Sequence, residues 1–375
     1  MTKMKYTEIL SVSGRALNRG LGACLLALSL VSLSACDSKP ATAPASGELE
    51  TLEFRYPGSA GWVTQEELAE DLGYLAPVKL VNIGMSTGGP QGIQMVLSGD
   101  ADISSQSFNG AVVKVVASGA PVTAVIAAYG STRDALGGYY VLDDSAIHGP
   151  RDLIGKKMGV NTVGAQMEFM LREYLSRGGL SKEEIEQVEL VVIPPGSGEQ
   201  LLRQRQVDVT AIYFGIGTER GGLRRLFRDD DLYGSLPVGA YVMSNRFLTE
   251  NPNTSRHVIG AIARATEWTK TTPLEEVHAR LYKIIEKRQR NENPALIKYW
   301  TGLGLEAAPY GALRDEDFQI WIDWLIRDGQ LQPGQVDLKK VYTNAFNPHA
   351  QTAAQDGASL PNPAPNPVPT PAEEK

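Results

Sequence analysis

Strand-like and helix-like segments alternate along the interior of this chain, and this alternation constrains the fold more than any other feature. Apolar runs such as "VKLVNIG" (78–84) and "PVTAVIAAYG" (121–130) predict buried strands. "GPQGIQMVLSG" (89–99) predicts a helix with Pro90 in its first turn and Gly99 at its end. Strands that alternate with helices build βαβ units, so the interior is predicted to be α/β.

The same order of elements occurs a second time after residue 153. "KKMGVNT" (156–162) predicts a strand, and "AQMEFMLREYLSRGG" (165–179) predicts an amphipathic helix. The pieces "QMVLSGDADIS" and "EQLLRQRQVDVTA" look alike, and each has an aspartate, Asp102 or Asp208, where its strand begins. Two α/β halves of about 100 residues each, followed by helices that pack back onto the first half, predict two lobes with a cleft.

The C-terminal part is predicted to be helical. "TTPLEEVHARLYKIIEKRQ" has Thr272 as its expected N-cap, Pro273 in the first helical position and Glu275 closing a capping box. "EDFQIWIDWLIRDGQL" predicts a further helix that ends near Gly329. The tryptophans of this part occur at helical spacing, which is typical of core residues.

Residues 1–35 have the layout of an export signal. Four basic residues and one acid precede "LGACLLALSLVSLSA" (21–35), a segment too short to span a bilayer as a helix. "LSAC" (33–36) resembles the lipobox of bacterial lipoproteins, in which the cysteine is lipidated and becomes the new N-terminus. The alternative is an ordinary signal peptide that happens to contain Cys36. The other cysteine, Cys24, lies within the signal, so no disulfide is expected in the remainder.

The predicted organisation follows from these patterns and from composition. The proline-rich run "SLPNPAPNPVPTPAEEK" favours an extended, solvated tail. The parts are residues 1–35 as a lipoprotein signal peptide, 36–49 as a disordered linker, 50–133 and 242–349 as lobe 1, 134–241 as lobe 2, and 350–375 as a disordered tail. The chain is expected to cross between the lobes near 131–138 and 237–244.

The charge of the chain excludes one class of partner. The formal net charge is −7 at pH 7, and removal of residues 1–35 makes it more negative because that segment is basic. A nucleic-acid-binding protein would show a basic patch or a high isoelectric point. The sequence therefore predicts no nucleic-acid partner and is typical of a soluble exported protein.

Several segments resemble a known family in their order and spacing. They are "VLSGDADIS", "ASGAPVTAVIA", "RDLIGKKMGVNT", "LREYLSRGGL", "VDVTAIY" and "SNRFLTENP". Over residues 52–347 the chain is similar to substrate-binding components of ABC importers, in the branch that handles aliphatic sulfonates, taurine, nitrate and thiamine-precursor pyrimidines. The most specific piece is "DLIGKKMGV" (152–160). The chain departs from the pattern at Arg205, where the family usually has glycine. That turn is therefore expected to adopt a different backbone conformation.

The resemblance implies an α/β, bilobal, periplasmic-binding-protein-like fold of type II, with two mixed sheets, flanking helices and a central cleft. It implies a solute-binding lipoprotein, not an enzyme, that captures a small organic anion and delivers it to the permease and ATPase subunits of an importer. The protein is expected to be a monomer without cofactor or metal. Its lipid anchor at Cys36 would hold it to the membrane, facing the periplasm or exterior, and Asp37 favours the inner membrane.

Three alternatives stay open. The solute could be nitrate or a thiamine-precursor pyrimidine instead of a sulfonate or a taurine-like compound. An enzyme of the pyrimidine-synthase type is less favoured, because that relative uses a cysteine-rich iron motif. The four histidines of this chain also lack metal-ligand spacing.

In open α/β sheets, ligands bind beyond the carboxyl ends of strands, beside helix N-termini. Five segments at such places are rich in Ser, Thr, Asn, Gln and Gly, which offer donors without fixed charge, although ordinary turn chemistry could explain them. Arg133, near the first crossing, could pair with an anion or lie at the hinge surface beside Asp134. The predicted ligand-binding residues are Ser59, Trp62, Ser86, Thr87, Gln106, Ser107, Asn109, Arg133, Asn161, Thr162, Gly164, Ala165, Gln166 and Tyr213.

Overall fold

The alternating pattern builds an α/β chain of strands and helices, as the sequence predicts. A computed structural model describes residues 47–59, 61–132, 137–194, 196–290 and 292–350. The strands in these ranges are β1 Glu53–Gly58, β2 Lys79–Met85, β3 Ser104–Phe108, β4 Val122–Ser131, β5 Gly138–Leu142, β6 Lys157–Val160, β7 Glu189–Val192, β8 Val209–Ile212, β9 Leu223–Arg228 and β10 Leu236–Ser244. The α-helices are α1 Gln65–Asp71, α2 Gly89–Ser98, α3 Asn109–Ala117, α4 Gln166–Arg177, α5 Lys182–Ile185, α6 Gly198–Arg203, α7 Asp229–Tyr233, α8 Asn245–Glu250, α9 Pro252–Thr271, α10 Leu274–Arg288, α11 Glu316–Arg327 and α12 Leu338–Val341.

The strands form three hydrogen-bonded groups. β1 pairs with β2 in parallel, and β10 lies between β3 and β4 and is antiparallel to both. The third group has the order β7-β6-β8-β5-β9, in which β6 is parallel to its neighbours and β5 is antiparallel to its own. We call the first two groups, with the helices next to them, the first lobe and the five-stranded sheet with its helices the second lobe. The predicted α/β fold with mixed sheets is confirmed.

The two look-alike segments play the same part in the two lobes. The Asp102 carboxylate accepts a hydrogen bond from the backbone N–H of Arg55 on β1 at 2.7 Å, and Asp102 N–H donates back to Arg55 O at 2.9 Å. In the second lobe, the Asp208 carboxylate accepts from Lys157 N–H on β6 at 2.8 Å, and Asp208 N–H donates to Lys157 O at 2.8 Å. Each aspartate thus fastens its turn to a neighbouring strand, which explains the repeated sequence.

The turn before Asp208 differs from what its sequence predicts. Gly99 caps α2 with φ of 82°, a left-handed conformation that glycine adopts without steric cost. The corresponding Arg205 adopts the same left-handed conformation, with φ of 56°. The turn therefore keeps the backbone conformation that glycine usually provides. A residue with a Cβ is strained there by about 1 kcal/mol. The Arg205 guanidinium reaches Asp144 at 2.5 Å on the surface.

Three further expectations are corrected. Gln106 and Ser107, which were predicted to lie beyond a strand end, instead lie within β3, because Ser104–Phe108 pairs with β10. The second crossing lies before Leu236 and not at 237–244, because β10 pairs with the first-lobe strand β4 along its whole length. Thr272 ends α9 instead of capping α10, whose N-cap is Pro273, so the predicted capping box does not form.

Helix α11 contacts both lobes, although the sequence predicts that the last helices pack onto the first. The ring of Trp321 is fully buried and lies 4.9 Å from Phe108 of the first lobe and 5.2 Å from Phe169 of α4. Arg327 also pairs with Glu173 of α4 at 2.6 Å. No helix within the described ranges combines the length and apolar character needed to cross a membrane.

Candidate ligand-binding cleft

Loops at the carboxyl ends of strands from both lobes meet at one place. Asn161, after β6, lies with its side-chain nitrogen 3.5 Å from the carbonyl oxygen of Thr87, after β2. A Cβ built on Gly88 would lie 2.9 Å from Thr162 Oγ1. The lobes are therefore in contact across the cleft in this conformation.

A second contact between the lobes joins two aromatic rings. The ring of Trp62, after β1, lies 4.8 Å from that of Phe214, after β8. Phe214 has φ of 54°, so a bulky residue holds a left-handed conformation at this contact. Strained backbone of this kind is concentrated at ligand clamps and switch regions.

The first-lobe side of the cleft joins three segments that are distant in sequence. Gln106 Nε2 donates to Ser59 Oγ at 2.8 Å, which links β3 to the loop after β1. A Cβ on Gly89 would lie 2.5 Å from the carbonyl oxygen of Gln106, so only glycine allows α2 to approach β3 this closely. Ser107 Oγ lies 2.9 Å from Ser104 Oγ beneath the surface. The structure thus brings Ser59 and Gln106 together, whereas Ser107 is buried within the lobe.

Two residues in the loop after β2 have local partners. Ser86 Oγ donates to Gly88 O at 2.8 Å. The backbone N–H and the hydroxyl of Thr87 donate to Gln91 Oε1 at 2.8 and 2.9 Å. These bonds fix the loop that leads into α2, so that the N-terminal end of α2 lies at the edge of the cleft.

Hydrogen bonds from residues that no sequence motif marks hold the loop after β1. Arg288 Nη2, from the end of α10, donates to the carbonyl oxygens of Ser59 and Trp62 at 3.2 and 3.1 Å. Glu292 accepts from Gly61 N–H and from Arg288, both at 2.6 Å. Arg288 and Glu292 are separated from this loop by more than 200 residues, so no local pattern could have identified them.

A buried acid anchors the same network. Glu67 of α1 accepts hydrogen bonds from Tyr56 Oη at 2.6 Å, Thr64 N–H at 3.1 Å, Arg288 at 2.7 Å and Arg290 at 2.9 Å. The Glu67 side chain is 5% exposed and that of Arg288 is 8% exposed. The position of the loop after β1 therefore depends on a buried ion cluster.

The N-terminus of α4 forms the second-lobe side. Its first residue is Gln166, and its N-cap Ala165 is buried. The N–H of Gly164 donates to Glu168 Oε2 at 2.7 Å, and Glu168 also pairs with Arg172. An acid of the helix itself thus occupies one of the amides that the sequence predicts for a ligand.

Not every predicted residue offers its side chain to the cleft. Asn109 is fully buried, and its side-chain nitrogen donates to the carbonyl oxygens of Asp317 at 3.0 Å and Pro237 at 3.4 Å. It joins α3 to α11 and β10 in this conformation. Arg133 and Cys36 lie outside the described residues.

A buried carboxylate that the sequence does not single out lies at the second-lobe edge. Asp229 follows β9 directly and is 2% exposed, and Gln166 Nε2 donates to its Oδ2 at 2.7 Å. Burial raises the pKa of Asp229 to about 7. Burial, together with the charge of Asp229, also raises the pKa of Tyr129 and that of Tyr213 above their usual range. The rule that ligands bind beyond strand ends could have found Asp229 if "LRRLFR" had been predicted as a strand.

One surface cavity lies elsewhere. It has a volume of about 310 Å³ and is lined by residues at the amino end of β1, including Arg55, Asp102 and Arg246. Arg55 and Asp102 pair at 2.5 Å. It is remote from the strand ends where the lobes meet, so we take the cleft as the candidate site.

Similar proteins share this architecture. An alkanesulfonate-binding protein, SsuA from Xanthomonas axonopodis pv. citri bound to MOPS, is 19% identical with a TM-score of 0.61, covering 79% of this chain and 99% of that one. The periplasmic nitrate-binding protein NrtA from Synechocystis PCC 6803 is 13% identical with a TM-score of 0.63, covering 87% and 93%. Both neighbours indicate the bilobal fold of periplasmic binding proteins.

Sequence comparison agrees with the fold. A Brucella abortus (strain 2308) protein named as a binding protein is 25% identical over 131 residues, which is 34% of this chain. The match spans 40% of the length of that relative. The family model described as NMT1/THI5 like matches residues 66–276, more than half of the chain. The chain therefore belongs to the NMT1/THI5-like family.

Proposed function

We propose that this chain is the solute-binding component of an ABC importer and captures a small organic anion of the aliphatic sulfonate or taurine-like class. The observation that carries the proposal is the cleft in which polar loops beyond β1, β2, β6 and β8 meet. A two-lobed protein that closes around a solute uses such a cleft. The names of the sulfonate-binding and nitrate-binding neighbours support an anionic solute.

The N-terminus of α2 is the part of the cleft best suited to an anion. This helix has ten residues, its N-cap is Gly88, and its first turn contains no acid. Backbone N–H groups and the helix dipole favour negative charge at such a position. Thr162 lies next to Gly88 from the opposite lobe and can add a hydroxyl donor. At α4, by contrast, Glu168 already occupies an N-terminal amide.

The binding energy must come from local contacts. The chain is acidic, with a formal net charge of −7, so long-range attraction does not recruit an anion. Each hydrogen bond to a charged group contributes about 1.5 to 3 kcal/mol. Three or four such bonds supply micromolar affinity after the cost of ordering.

Calorimetry on the purified protein tests the solute class. The titrants are taurine, alkanesulfonates, nitrate, small carboxylates and aminopyrimidines. Thr162→Val is expected to weaken sulfonate binding several-fold, whereas the exposed control Thr249→Val should not change it. Binding of an aminopyrimidine with no response to any anion would overturn the sulfonate assignment. Conversion of a bound compound to a new product, detected by mass spectrometry, would support an enzyme instead.

We also propose that Cys36 carries the lipid that keeps this protein beside its permease and ATPase partners, facing the periplasm or exterior. The lipobox-like "LSAC" and the polar linker after it support this. Metabolic labelling with a fatty-acid analogue should mark the wild type and not Cys36→Ser. Equal labelling and membrane retention of both proteins would contradict the anchor.

A further inference from the structure

A hydrogen bond at the surface joins the two lobes outside the polar loops of the cleft. The Tyr299 hydroxyl donates to Glu219 Oε1. Glu219 lies between β8 and β9 of the second lobe and is exposed. Tyr299 belongs to the first lobe, because it follows α10 and its neighbour Trp300 is buried in the same hydrophobic cluster as Phe54 of β1. The bond therefore connects residues of different lobes.

This bond lies beside the aromatic contact of the cleft. In the second lobe, Phe214 of that contact precedes Glu219 by five residues. In the first lobe, a Cβ built on Gly61 would lie 3.8 Å from Leu296 Cδ1, in the segment that ends at the tyrosine. The bond is thus close to the cleft, although neither partner belongs to the loops proposed to bind the solute.

The second-lobe partner is fixed to the helix behind it. Arg203 of α6 donates to the carbonyl oxygen of Gly221 at 2.8 Å. Arg220, the residue after Glu219, pairs with Glu199 of α6 at 2.8 Å. The segment that carries Glu219 therefore moves with the second lobe.

The first-lobe partner is fixed in the same way. His278 Nε2 of α10 donates to the carbonyl oxygen of Trp300 at 2.6 Å, and the Trp300 side chain is buried. The Lys298 ammonium lies 4.6 Å from the centre of the Tyr299 ring and adds positive charge on the side that faces the glutamate. The tyrosine is therefore held by the first lobe in a setting that favours an anionic acceptor.

Because each partner is fixed to its own lobe, the bond exists only while the lobes are close together. A contact made only in the closed conformation raises the closed fraction, and the apparent affinity of a solute that binds this conformation rises with that fraction. We infer that Tyr299 and Glu219 form a latch that strengthens solute binding without touching the solute. This inference rests on the proposed function and adds a residue pair that sets its affinity.

Calorimetry with several solutes tests the latch on the purified protein. Tyr299→Phe removes the hydroxyl and changes no charge. We expect every solute that binds the wild type to bind this variant about twofold to fivefold more weakly, as for one exposed contact. The factor should be the same for each solute, because the tyrosine acts on the lobes. A residue that touched the solute would change the affinities of chemically different solutes by different factors.

Two further variants identify the bond as the cause. Tyr342→Phe is the matched control, because its hydroxyl donates to Asp315 at 2.6 Å and Tyr342 pairs with β4 of the first lobe. It should leave every affinity at the wild-type value. In a Glu219→Ala background, Tyr299→Phe should have no further effect, because the bond is already absent.

Pulsed electron paramagnetic resonance measures the latch without any solute. Spin labels at the exposed positions Lys287→Cys in α10 and Gln200→Cys in α6 report the separation of the lobes, in a background with Cys24→Ser and Cys36→Ser. We expect Tyr299→Phe to shift the distances toward longer values, whereas the matched tyrosine control should not.

The outcomes separate the latch from the proposed function. If Tyr299→Phe changes neither the distances nor the affinities, the latch is refuted while solute binding stands. If it weakens different solutes by different factors, the tyrosine touches the solute and the latch is refuted as well. If no titrant binds but the distances lengthen in Tyr299→Phe, the latch stands and the proposed solute class falls.

Discussion

The buried ion cluster around Glu67 gives the sharpest prediction about stability. Its carboxylate receives four hydrogen bonds, two of them from the guanidinium groups of Arg288 and Arg290. Glu67→Ala removes the anion and leaves both cations short of a partner. Glu292 still neutralises Arg288, and Tyr56 still bonds to Arg290, so the loss is partial for each cation.

The expected cost follows from burial. The Glu67 and Arg288 side chains are 5% and 8% exposed, so solvent screens the pair little. Removing one partner of a buried pair costs about 3 to 5 kcal/mol, because the other charge stays buried. The matched control is Asp71→Ala on the same helix, which breaks a surface pair with Arg280 whose side chains are 33% and 36% exposed. Such a pair contributes about 0 to 1 kcal/mol.

Urea unfolding followed by tryptophan fluorescence measures both variants. We expect Glu67→Ala to lower the free energy of unfolding by at least about 2 kcal/mol more than Asp71→Ala, with an unchanged m-value. Because the cluster also positions the loop of Ser59 and Trp62, we expect weaker solute binding in Glu67→Ala. Equal stability of the two variants would refute the reasoning. It would mean that the attraction within the cluster only offsets the free-energy cost of desolvating its charges.

Three further predictions concern pH, backbone strain and closure. The pKa of Asp229 is raised to about 7 by burial, so its contribution to stability is present below about pH 4 and is lost as pH rises through about 7. Asp229→Asn should therefore raise the free energy of unfolding at pH 8 by a few kcal/mol and change it little at pH 4; an equal effect at both values would contradict this sign. Arg205→Gly should stabilise the protein by about 0.5 to 1 kcal/mol in urea unfolding, because relief of the left-handed strain outweighs the exposed pair with Asp144; a loss of stability would show that the pair dominates. Small-angle scattering with a solute confirmed by calorimetry should show a smaller radius of gyration as the two lobes close around it; an unchanged profile at saturation would count against closure.

Local chemistry made much of the fold predictable. Pro90 in the first turn of α2 and Gly99 at its end act within a few residues of each other, so the helix could be predicted with its ends. The capping box at the start of α5 is equally local, since Ser181 and Glu184 are three residues apart. The polar loops of the cleft were also predictable, because strand ends in α/β folds share one edge.

Long-range pairing was decided by the tertiary structure alone. Nothing local indicates that β10 runs beside both β3 and β4, so the second crossing was misplaced by several residues. Arg288 reaches the loop of Ser59 across 229 positions of sequence, and Asp229 meets Gln166 across 63. The sequence alone determined the α/β class, most of the helices and the family, because periodicity and capping are local. The ion cluster and the buried acid depend on which surfaces pack together, and only the folded chain brings those residues within hydrogen-bonding distance.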